Sequence, residues 1–483
     1  MQSFSTLFFI ATLFTATLLN LLNAVLSHAD TTLAAVVRDS IPVQSIALRI
    51  KGDDWPRMLG SQFDSRSDEV GIISPWPKNG LRVVWTADTG VGYGNGVASR
   101  GRWFQFDRFG NVERLDCRNA ETGAVIWKWE APVEYRDAYG YNNGPRCSPV
   151  VDEDRVYVYG VAGNLVCLSV TDGKEIWRRD VNEDYNVIQN FFGVGASPLV
   201  YQDKLLVMVG GSPKGRNGDV NAQSNGTAMV ALDKFTGKEV YRIGQFLASY
   251  SAPVIQTVNG KELCLAFVRE GLLAFDPVDG SKESFFAWRA KSLESVNAAS
   301  PIVWRDRVLI SECYELGTAI LARDESGAFR LEYQDPESRK EQLIRSHWST
   351  PLLAGDRLFA SCGRNGPDTD FRCLDLRLTK ANLNSKEKAS LSLVWQTRNR
   401  DRMTGLLVDG HAVMLGEFGA LQLISIAKDE FAVISEMNLD QILDKRDGRP
   451  LIEAPSWAPP VLSRGLLYVR GTNKVVCMEL IKE

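Results

Sequence analysis

Aromatic and basic residues recur at one place in this chain, three positions before the proline, or its equivalent, of a repeated opening motif in which a small residue and proline precede a β-branched run. The positions are Tyr93, Arg146, Gly195, Tyr250, Ala298, Trp348, Arg402 and Trp457, and one position earlier stand Asn297, His347 and Asp401. Aromatic faces stack on planar groups, and a guanidinium fork pairs with carboxylates. These residue types therefore suit a planar anionic ligand. The alternative is that the side chains only fill the space between one another.

The histidines and cysteines offer little other chemistry. The sequence has three histidines and eight cysteines, without a CxxC or CxxCH spacing. A metal site built from histidine, or a Ser/His/Asp triad, lacks its residues, so we predict no metal site and identify no catalytic residue. Most cysteines recur at equivalent strand positions and are predicted to be core residues, with a disulfide as the alternative. They are Cys117, Cys167, Cys373 and Cys477 in third strands, Cys264, Cys313 and Cys362 in second strands, and the isolated Cys147.

Residues 148–177 contain the unit that must position the recurring residues. Short β-branched and aromatic runs alternate with turns about every ten residues, and no interval has a sustained helical period. Further copies of the opening motif begin at Asn95, Ser197, Ala252, Ser300, Thr350, Thr404 and Pro459. Copies about 50 residues apart, each with about four strands, predict radial closure into a β-propeller rather than an open solenoid.

A turn glycine and a large aromatic residue also keep a fixed spacing in successive units. The pairs are Gly123 with Trp127, Gly173 with Trp177, and Gly237 with Tyr241. Large aromatic side chains bury much apolar area, so we predict that these rings pack between neighbouring blades and do not bind a ligand.

The two ends of the repeat region complement each other. The last unit, residues 460–480, has only three strands, whereas residues 81–86 form a strand that precedes the first unit. Pairing of this strand with the last unit would remove the open sheet edges. We therefore predict an all-β fold, a single eight-bladed β-propeller of four-stranded blades over residues 55–483, closed by an N-terminal strand that completes the last blade.

The N-terminal residues and the charge bear on location and partners. Residues 1–29 are predicted to be an export signal, with an uncleaved anchor as the alternative, because residues 7–26 are almost wholly apolar. Residues 30–54 are interpreted as a linker. A net charge of −4 and a pI near 5.7 give no basic surface for nucleic acid. We expect a monomer, periplasmic or extracellular, whose mature chain has no membrane span.

Four segments depart from the repeat, and scaffolds carry binding groups on such loops. Three are candidates for binding: 130–146, 210–226 (with Lys214 and Arg216) and 365–370. The fourth, 440–449, carries charges of both signs and is interpreted as a solvated face.

The segments CRNAETGAVIW (117–127), CLSVTDGKEIW (167–177) and ALDKFTGKEVY (231–241) resemble the repeat of quinoprotein-type propellers, which are related to pyrroloquinoline quinone (PQQ) dehydrogenases. Together with DWPRMLG and GPRCSPVVDEDRVYV, they make the chain similar to exported PQQ-like repeat proteins of bacteria over roughly residues 55–483. The resemblance implies the same eight-bladed propeller that the spacing predicts.

The functional residues of this family are only partly matched. Alcohol-oxidising members carry two adjacent cysteines and a Ca²⁺ held by carboxylate and amide oxygens. This sequence has no Cys-Cys pair, and the Ca²⁺ ligands have no residue-by-residue match in it. The non-catalytic branch includes the scaffold lipoprotein of the outer-membrane barrel-assembly machinery, whose lipid-bearing cysteine is also missing here.

Two functions follow as hypotheses. The first is a non-catalytic, exported scaffold that binds a protein or polymer partner at one mouth of the propeller and its inserted loops. The second is a PQQ-dependent dehydrogenase of alcohols or sugars with Ca²⁺, in which Arg146 and Arg402 hold the carboxylates of the quinone while Trp348 or Trp457 stacks on it. The candidate cofactor-binding residues are Tyr93, Arg146, Tyr250, Asn297, His347, Trp348, Arg402 and Trp457.

Overall fold

The computed structural model describes residues 42–188, 191–215, 222–379, 390–398 and 400–483. Within them, Gln44–Glu483 form one compact unit. The predicted export segment 1–29, the first part of the predicted linker and Arg216 lie outside the described residues. Among the described residues, no helix is long and apolar enough to span a membrane.

The regular secondary structure of the described chain is almost entirely β-strand, and it forms eight sheets, the blades of a propeller, as predicted. Strands β1 (Arg66–Ser67) and β2 (Arg82–Asp88) precede the first blade. Blade 1 consists of β3 (Val97–Ser99), β4 (Arg102–Phe109), β5 (Val112–Asn119) and β6 (Val125–Pro132). Blade 2 consists of β7 (Val150–Asp152), β8 (Arg155–Tyr159), β9 (Asn164–Ser169) and β10 (Glu175–Asp180), after which a short helix, α1 (Val181–Asp184), follows.

The next blades repeat this order from the innermost strand outward. Blade 3 consists of β11 (Leu199–Tyr201), β12 (Lys204–Met208), β13 (Met229–Asp233) and β14 (Glu239–Ile243). Blade 4 consists of β15 (Val254–Val258), β16 (Lys261–Val268), β17 (Gly271–Phe275) and β18 (Ser284–Ala287). Blade 5 consists of β19 (Ile302–Trp304), β20 (Arg307–Glu312), β21 (Gly317–Arg323) and β22 (Phe329–Gln334).

The last three blades complete the ring. Blade 6 consists of β23 (Leu352–Ala354), β24 (Arg357–Cys362), β25 (Asp370–Thr379) and β26 (Ser390–Arg398). Blade 7 consists of β27 (Met403–Val408), β28 (His411–Gly416), β29 (Ala420–Ser425) and β30 (Val433–Asn438). Blade 8 consists of β31 (Val461–Ser463), β32 (Leu466–Arg470) and β33 (Lys474–Glu479), with β2 as its outer strand.

Burial follows the position of a strand within its blade. Strand β8 is buried at every residue, because its two faces are covered by the neighbouring blades, whereas the outer strand β10 is mostly exposed. All eight cysteines are free and buried, as expected for residues of the blade cores. Burial raises the pKa of the Cys117 thiol to about 12, so this side chain behaves as a small apolar residue.

The ring closes where the sequence predicts. Strand β2 pairs antiparallel with β33, and Trp85 lies opposite Cys477. A buried ion pair joins blades 1 and 8 at the same place, with Nη1 of Arg470 2.8 Å from Oδ1 of Asp107. Burial raises the pKa of Asp107 to about 6, although Arg470 opposes the shift. Arg470 also donates to the carbonyl of Gly94 at 2.7 Å, which ties the start of blade 1 to blade 8.

The repeated aromatic residues connect one blade to the next, as predicted. Each donates a hydrogen bond to a backbone carbonyl of the following blade: Trp85 to Ala120, Trp127 to Val170, Trp177 to Lys234, and Tyr241 to Pro277. Each ring lies over the turn glycine of that following blade, namely Gly123, Gly173, Gly237 and Gly280. These glycines have positive φ and no room for a Cβ atom, so the turn and the aromatic ring require each other.

The small residue of the opening motif links the innermost strands. The backbone N–H of Ser148 donates to Oγ of Ser197 at 2.8 Å, and that of Ser300 donates to Oγ1 of Thr350 at 3.0 Å. The hydroxyl therefore satisfies a buried donor of the preceding blade, which explains why serine or threonine so often stands before the proline.

Residues 55–67 lie inside the ring of innermost strands. The N–H of Val151 donates to the carbonyl of Pro56 at 2.8 Å, and the N–H of Leu407 donates to that of Ser65 at 2.8 Å. Strand β1 then pairs parallel with β27. We call this segment the plug, because it fills one end of the central channel.

One buried carboxylate joins blades 1 and 2. Oε1 of Glu113, on β5, accepts the N–H of Val161 at 2.8 Å, in the turn between β8 and β9. Burial raises the pKa of Glu113 to about 7, against the opposing effects of the Val161 hydrogen bond and the Arg108 charge.

We predict that Gly173→Ala destabilises the protein more than Gly410→Ala. Both glycines have φ of 72°, so both variants bear the cost of a left-handed alanine, about 1–2 kcal/mol. A Cβ at Gly173 would lie 2.5 Å from Cε3 of Trp127, whereas nothing lies within 4 Å of one at Gly410. The clash adds about 1–3 kcal/mol. Urea unfolding measures both losses, and equal losses would contradict the ring-over-glycine contact.

We also predict that Glu113→Gln changes the pH dependence of stability. Because the folded pKa of Glu113 is raised from 4.5 to about 7, the unfolded chain loses its proton first as pH rises. The free energy of unfolding of the wild type therefore falls relative to the variant between about pH 4.5 and pH 7, by roughly 1–3 kcal/mol. Urea unfolding across this range checks the prediction, with Glu337→Gln at an exposed position as the control. It would be contradicted if the stability of the wild type stayed constant or rose relative to that of Glu113→Gln as pH increases.

Candidate functional site

A cavity of about 290 Å³ lies at the end of the central channel opposite the plug. We call it the cup. The eight residues that recur three positions before the proline of the opening motif, or its equivalent, all line it, and so does His347. Of the eight candidate cofactor-binding residues, the structure therefore brings seven together: Tyr93, Arg146, Tyr250, His347, Trp348, Arg402 and Trp457.

Arg402 is the centre of one side of the cup. Its guanidinium carbon lies 4.4 Å from the ring centroid of Trp348 and 5.1 Å from that of Trp457. Nε donates to Oε2 of Glu417 at 2.9 Å, and Nη2 donates to Oε1. Nε1 of Trp457 donates to the same Glu417 oxygen at 2.8 Å. The carboxylate behind the cup wall thus neutralises Arg402 and fixes Trp457, whose carbonyl in turn accepts a hydrogen bond from Nε1 of Trp348 at 3.2 Å.

Arg146 has a similar arrangement on another side. Its Nη2 donates to Oδ2 of Asp137 at 2.7 Å, and the Asp137 side chain is fully buried. The guanidinium carbon lies 5.6 Å from the ring centroid of Tyr93 and 5.5 Å from that of Phe192. The Tyr93 ring centroid is in turn 4.6 Å from that of Trp457, so the two arginine groups are in contact through their aromatic residues.

Asp137 also shapes the loop between blades 1 and 2, which the sequence marked as a departure from the repeat. Its Oδ1 accepts the N–H of Tyr139 at 2.9 Å, and its Oδ2 accepts that of Asn142 at 3.2 Å. This folding leaves Tyr139 and Tyr141 at the rim, 51 % and 62 % exposed.

His347 and its neighbours form a third part of the wall. Its Nε2 is 3.3 Å from the hydroxyl of Tyr314, and its Nδ1 has no hydrogen-bond partner among the described residues. Burial, helped by the charges of Arg402 and Arg364, lowers the pKa of His347 to about 3. The imidazole is therefore neutral at physiological pH and adds no charge to the cup.

The structure places Asn297 away from the cup. Its Nδ2 donates to the carbonyl of Val268 at 2.8 Å, and its own carbonyl accepts the N–H of Tyr250 at 3.1 Å. Asn297 thus holds the backbone at Tyr250, whose hydroxyl accepts the N–H of Phe192 at 2.8 Å. Asp401 does not line the cup either.

The plug supplies the floor of the cup through Met58, Leu59 and Ser65. Leu59 and Ser65 have φ of 64° and 55°, and Phe63 between them has φ of 60°. Left-handed backbone at residues other than glycine costs free energy and persists only where the surroundings impose it. Leu59 is 3 % exposed, so packing inside the channel supplies that constraint.

The repeat frame missed the residues that complete the cup from outside it. Tyr141 and Phe192 come from loops between blades, Tyr314 and Arg364 from turns within blades, and the floor from the plug. The aromatic loop 130–146 gave a signal for Tyr141. A segment that passes inside the channel has no periodic signal.

The side chains at the cup do not fit the donor set of a PQQ dehydrogenase. Arg146 and Arg402, the expected partners for the carboxylates of the quinone, already pair with Asp137 and Glu417. No aspartate or glutamate among the described residues lines the cup. The described part of the chain also brings together no group of three or more histidine, cysteine or acidic side chains suited to a metal ion.

Fold and repeat define a β-propeller of the PQQ-like class. A family model described as outer membrane protein assembly factor BamB matches residues 77–222 and 207–432. The chain belongs to this family. A comparison with curated proteins finds no match.

Solved structures with the same architecture include both branches of the resemblance. BamB from Moraxella catarrhalis is 12 % identical, with 83 % of this chain and 97 % of that chain covered and a TM-score of 0.52. A europium-containing methanol dehydrogenase is 12 % identical over 88 % and 91 %, with a TM-score of 0.60. The quinohemoprotein alcohol dehydrogenase from Comamonas testosteroni is 12 % identical over 93 % and 84 %, with a TM-score of 0.54. At this identity the similarity shows the fold alone.

We predict that Arg402 and Glu417 are energetically coupled in the protein without any ligand. Arg402→Ala leaves the carboxylate buried and unpaired, so it should cost about 3–5 kcal/mol. Arg402→Ala combined with Glu417→Ala should cost less than the two single losses added together.

Urea unfolding of the four proteins in this cycle measures the coupling. Arg364→Ala is the control, because Arg364 also lines the cup and stacks on Tyr314 but has no ion pair among the described residues. It should lose less than about 1 kcal/mol. Additive losses at Arg402 and Glu417 would contradict a structural role for the pair.

Proposed function

We propose that this protein is an exported, non-catalytic propeller that binds a segment of a protein partner in the cup. The observation that carries the proposal is the neutralisation of Arg146 and Arg402 by acids behind the wall. The aromatic side chains beside these arginines then present their ring faces to the cup, next to guanidinium groups whose charge is already balanced. Such a surface suits the side chains of a protein better than a multiply charged cofactor.

The rim supports a macromolecular partner. Tyr139 and Tyr141 lie next to the cup opening and are more than half exposed, and the Tyr141 ring centroid is 6.0 Å from that of Phe192. Tyrosine and tryptophan are enriched at protein interfaces because they bury a large area with few rotatable bonds. The description of the family, an assembly factor of outer membrane proteins, likewise favours a protein as the occupant, in the compartment to which residues 1–29 would export the chain.

A quinone-dependent dehydrogenase is the second candidate, because the cup combines adjoining aromatic rings with three guanidinium groups. PQQ would supply the redox chemistry in that case. It would have to displace the carboxylates of Asp137 and Glu417 or use only Arg364.

Photo-crosslinking in the native host tests the proposal. A benzoylphenylalanine at Tyr141 should form an adduct with a specific protein. The matched control is the same group at Val240, which is 51 % exposed on the outer strand β14. Asn365→Trp, in an exposed loop that lines the cup, should abolish the adduct by closing the opening. An adduct at Val240 as strong as that at Tyr141, or one unaffected by Asn365→Trp, would contradict the proposal.

Calorimetric titration of the purified chain with PQQ and Ca²⁺ separates the two candidates. We expect no saturable heat. Saturable binding that Asn365→Trp abolishes would replace the scaffold with the dehydrogenase.

A further inference from the structure

The charge of the cup is one-sided at its surface. Three guanidinium groups line it, and no carboxylate among the described residues does. Arg146 and Arg402 are neutralised by Asp137 and Glu417, which lie behind the wall. The net positive charge that a bound group meets therefore comes from the third arginine, Arg364. Its side chain is exposed and makes no ion pair with the residues the structure describes.

Arg364 is held in place although no carboxylate of the described residues forms an ion pair with it. Its guanidinium carbon lies 5.0 Å from the ring centroid of Tyr314, and its carbonyl accepts a hydrogen bond from Nη1 of Arg402 at 2.7 Å. Tyr314 is itself fixed, because its N–H donates to Oε2 of the buried Glu312 at 2.6 Å. A stacked guanidinium loses little conformational freedom when it pairs with an anion.

On the side of the cup, the side chains near Arg364 are aromatic, uncharged or, like Arg402, already paired with an acid, and outside the cup the Glu294 carboxylate interacts with Arg364 through space. The pKa of His347 is lowered to about 3, so its imidazole is uncharged, and Trp348 and Trp457 cover the adjoining wall with ring centroids 5.1 Å apart. The low local dielectric of such walls strengthens a charge-assisted hydrogen bond to an arginine at their edge. The best complement is one carboxylate flanked by aromatic side chains.

The shape of the cup limits the occupant further. The plug closes it below through Met58, Leu59 and Ser65, and its volume of about 290 Å³ is at the small end of ligand pockets. It therefore takes a few side chains at the tip of a segment, while the backbone on either side lies across the rim at Tyr139 and Tyr141.

Resting on the proposed function, we propose that the partner segment presents an acidic side chain flanked by aromatic residues, and that its carboxylate pairs with Arg364. The two arginines predicted from the repeat then organise the walls, and the arginine outside the repeat selects the ligand. Specificity arises because an uncharged segment would leave the guanidinium without an anion at the edge of an apolar cavity.

Fluorescence polarisation with a defined probe tests this. The probe is a labelled peptide with the core Ser-Gly-Phe-Glu-Phe-Gly-Ser, blocked at both ends, and its analogue carries Gln in place of Glu. The chain without its predicted export segment, residues 30–483, should bind the Glu peptide at least about tenfold more tightly than the Gln peptide. Arg364→Gln should remove this preference. Arg330→Gln, at an exposed arginine of the outer strand β22, should keep it.

Several results would overturn the inference. They are equal binding of the two peptides, a preference that survives Arg364→Gln, or no binding of either peptide. A Gln peptide with a free C-terminal carboxylate that matches the Glu peptide would also overturn it, because the cup would then recognise a chain end. The crosslinking experiment then decides separately on the proposed function. If the adduct at Tyr141 still forms and Asn365→Trp abolishes it, the proposed function stands. If the adduct is as strong at Val240, or is unaffected by Asn365→Trp, the proposed function is wrong as well.

Discussion

Closure of the ring is the constraint on which the rest of the structure depends. Strand β2 completes blade 8 by pairing with β33, and Nε1 of Trp85 on β2 then donates to the carbonyl of Ala120 in blade 1. The buried pair of Asp107 and Arg470 joins the same two blades, and Arg470 holds the backbone at Gly94, beside Tyr93 of the cup. The wall of the candidate site is therefore positioned by the contact that joins the first and last blades, so site geometry and ring closure are coupled.

The central channel explains why buried charges gather at the cup. Eight innermost strands begin around one axis, and the residue three positions before each proline must face its equivalents across that axis. Arginine at two of these positions would be costly without a counter-charge. Glu417 and Asp137 supply it from behind the wall, and aromatic faces cover the remaining surface. The result is a rigid lining whose charges are satisfied before any partner binds.

The period of the repeat made most of the fold and the inner wall predictable. A fixed spacing places equivalent residues at equivalent positions, so the blade starts, the closing strand and the lining role of Trp348 and Trp457 followed from the sequence. The acids that neutralise the arginines did not, because Asp137 and Glu417 lie in connecting loops and turns with no periodic position. Asn297 occupies the same repeat position as His347, yet its amide turns to the carbonyl of Val268. That choice depends on local hydrogen bonds, which a spacing does not determine.

A propeller with near-equivalent blades has a nearly symmetric mouth, and a symmetric mouth cannot readily distinguish one end of a bound segment from the other. Asymmetry must come from residues outside the repeat. The plug supplies it from below, with left-handed backbone at Leu59, Phe63 and Ser65 that only a well-packed channel can impose. Arg364 and Tyr141 supply it from the rim. Arg364 lies next to Arg402, whereas Tyr141 lies next to Phe192, the aromatic neighbour of Arg146. Selectivity is therefore expected to reside in these few residues, whereas the repeat keeps them at fixed distances from one another.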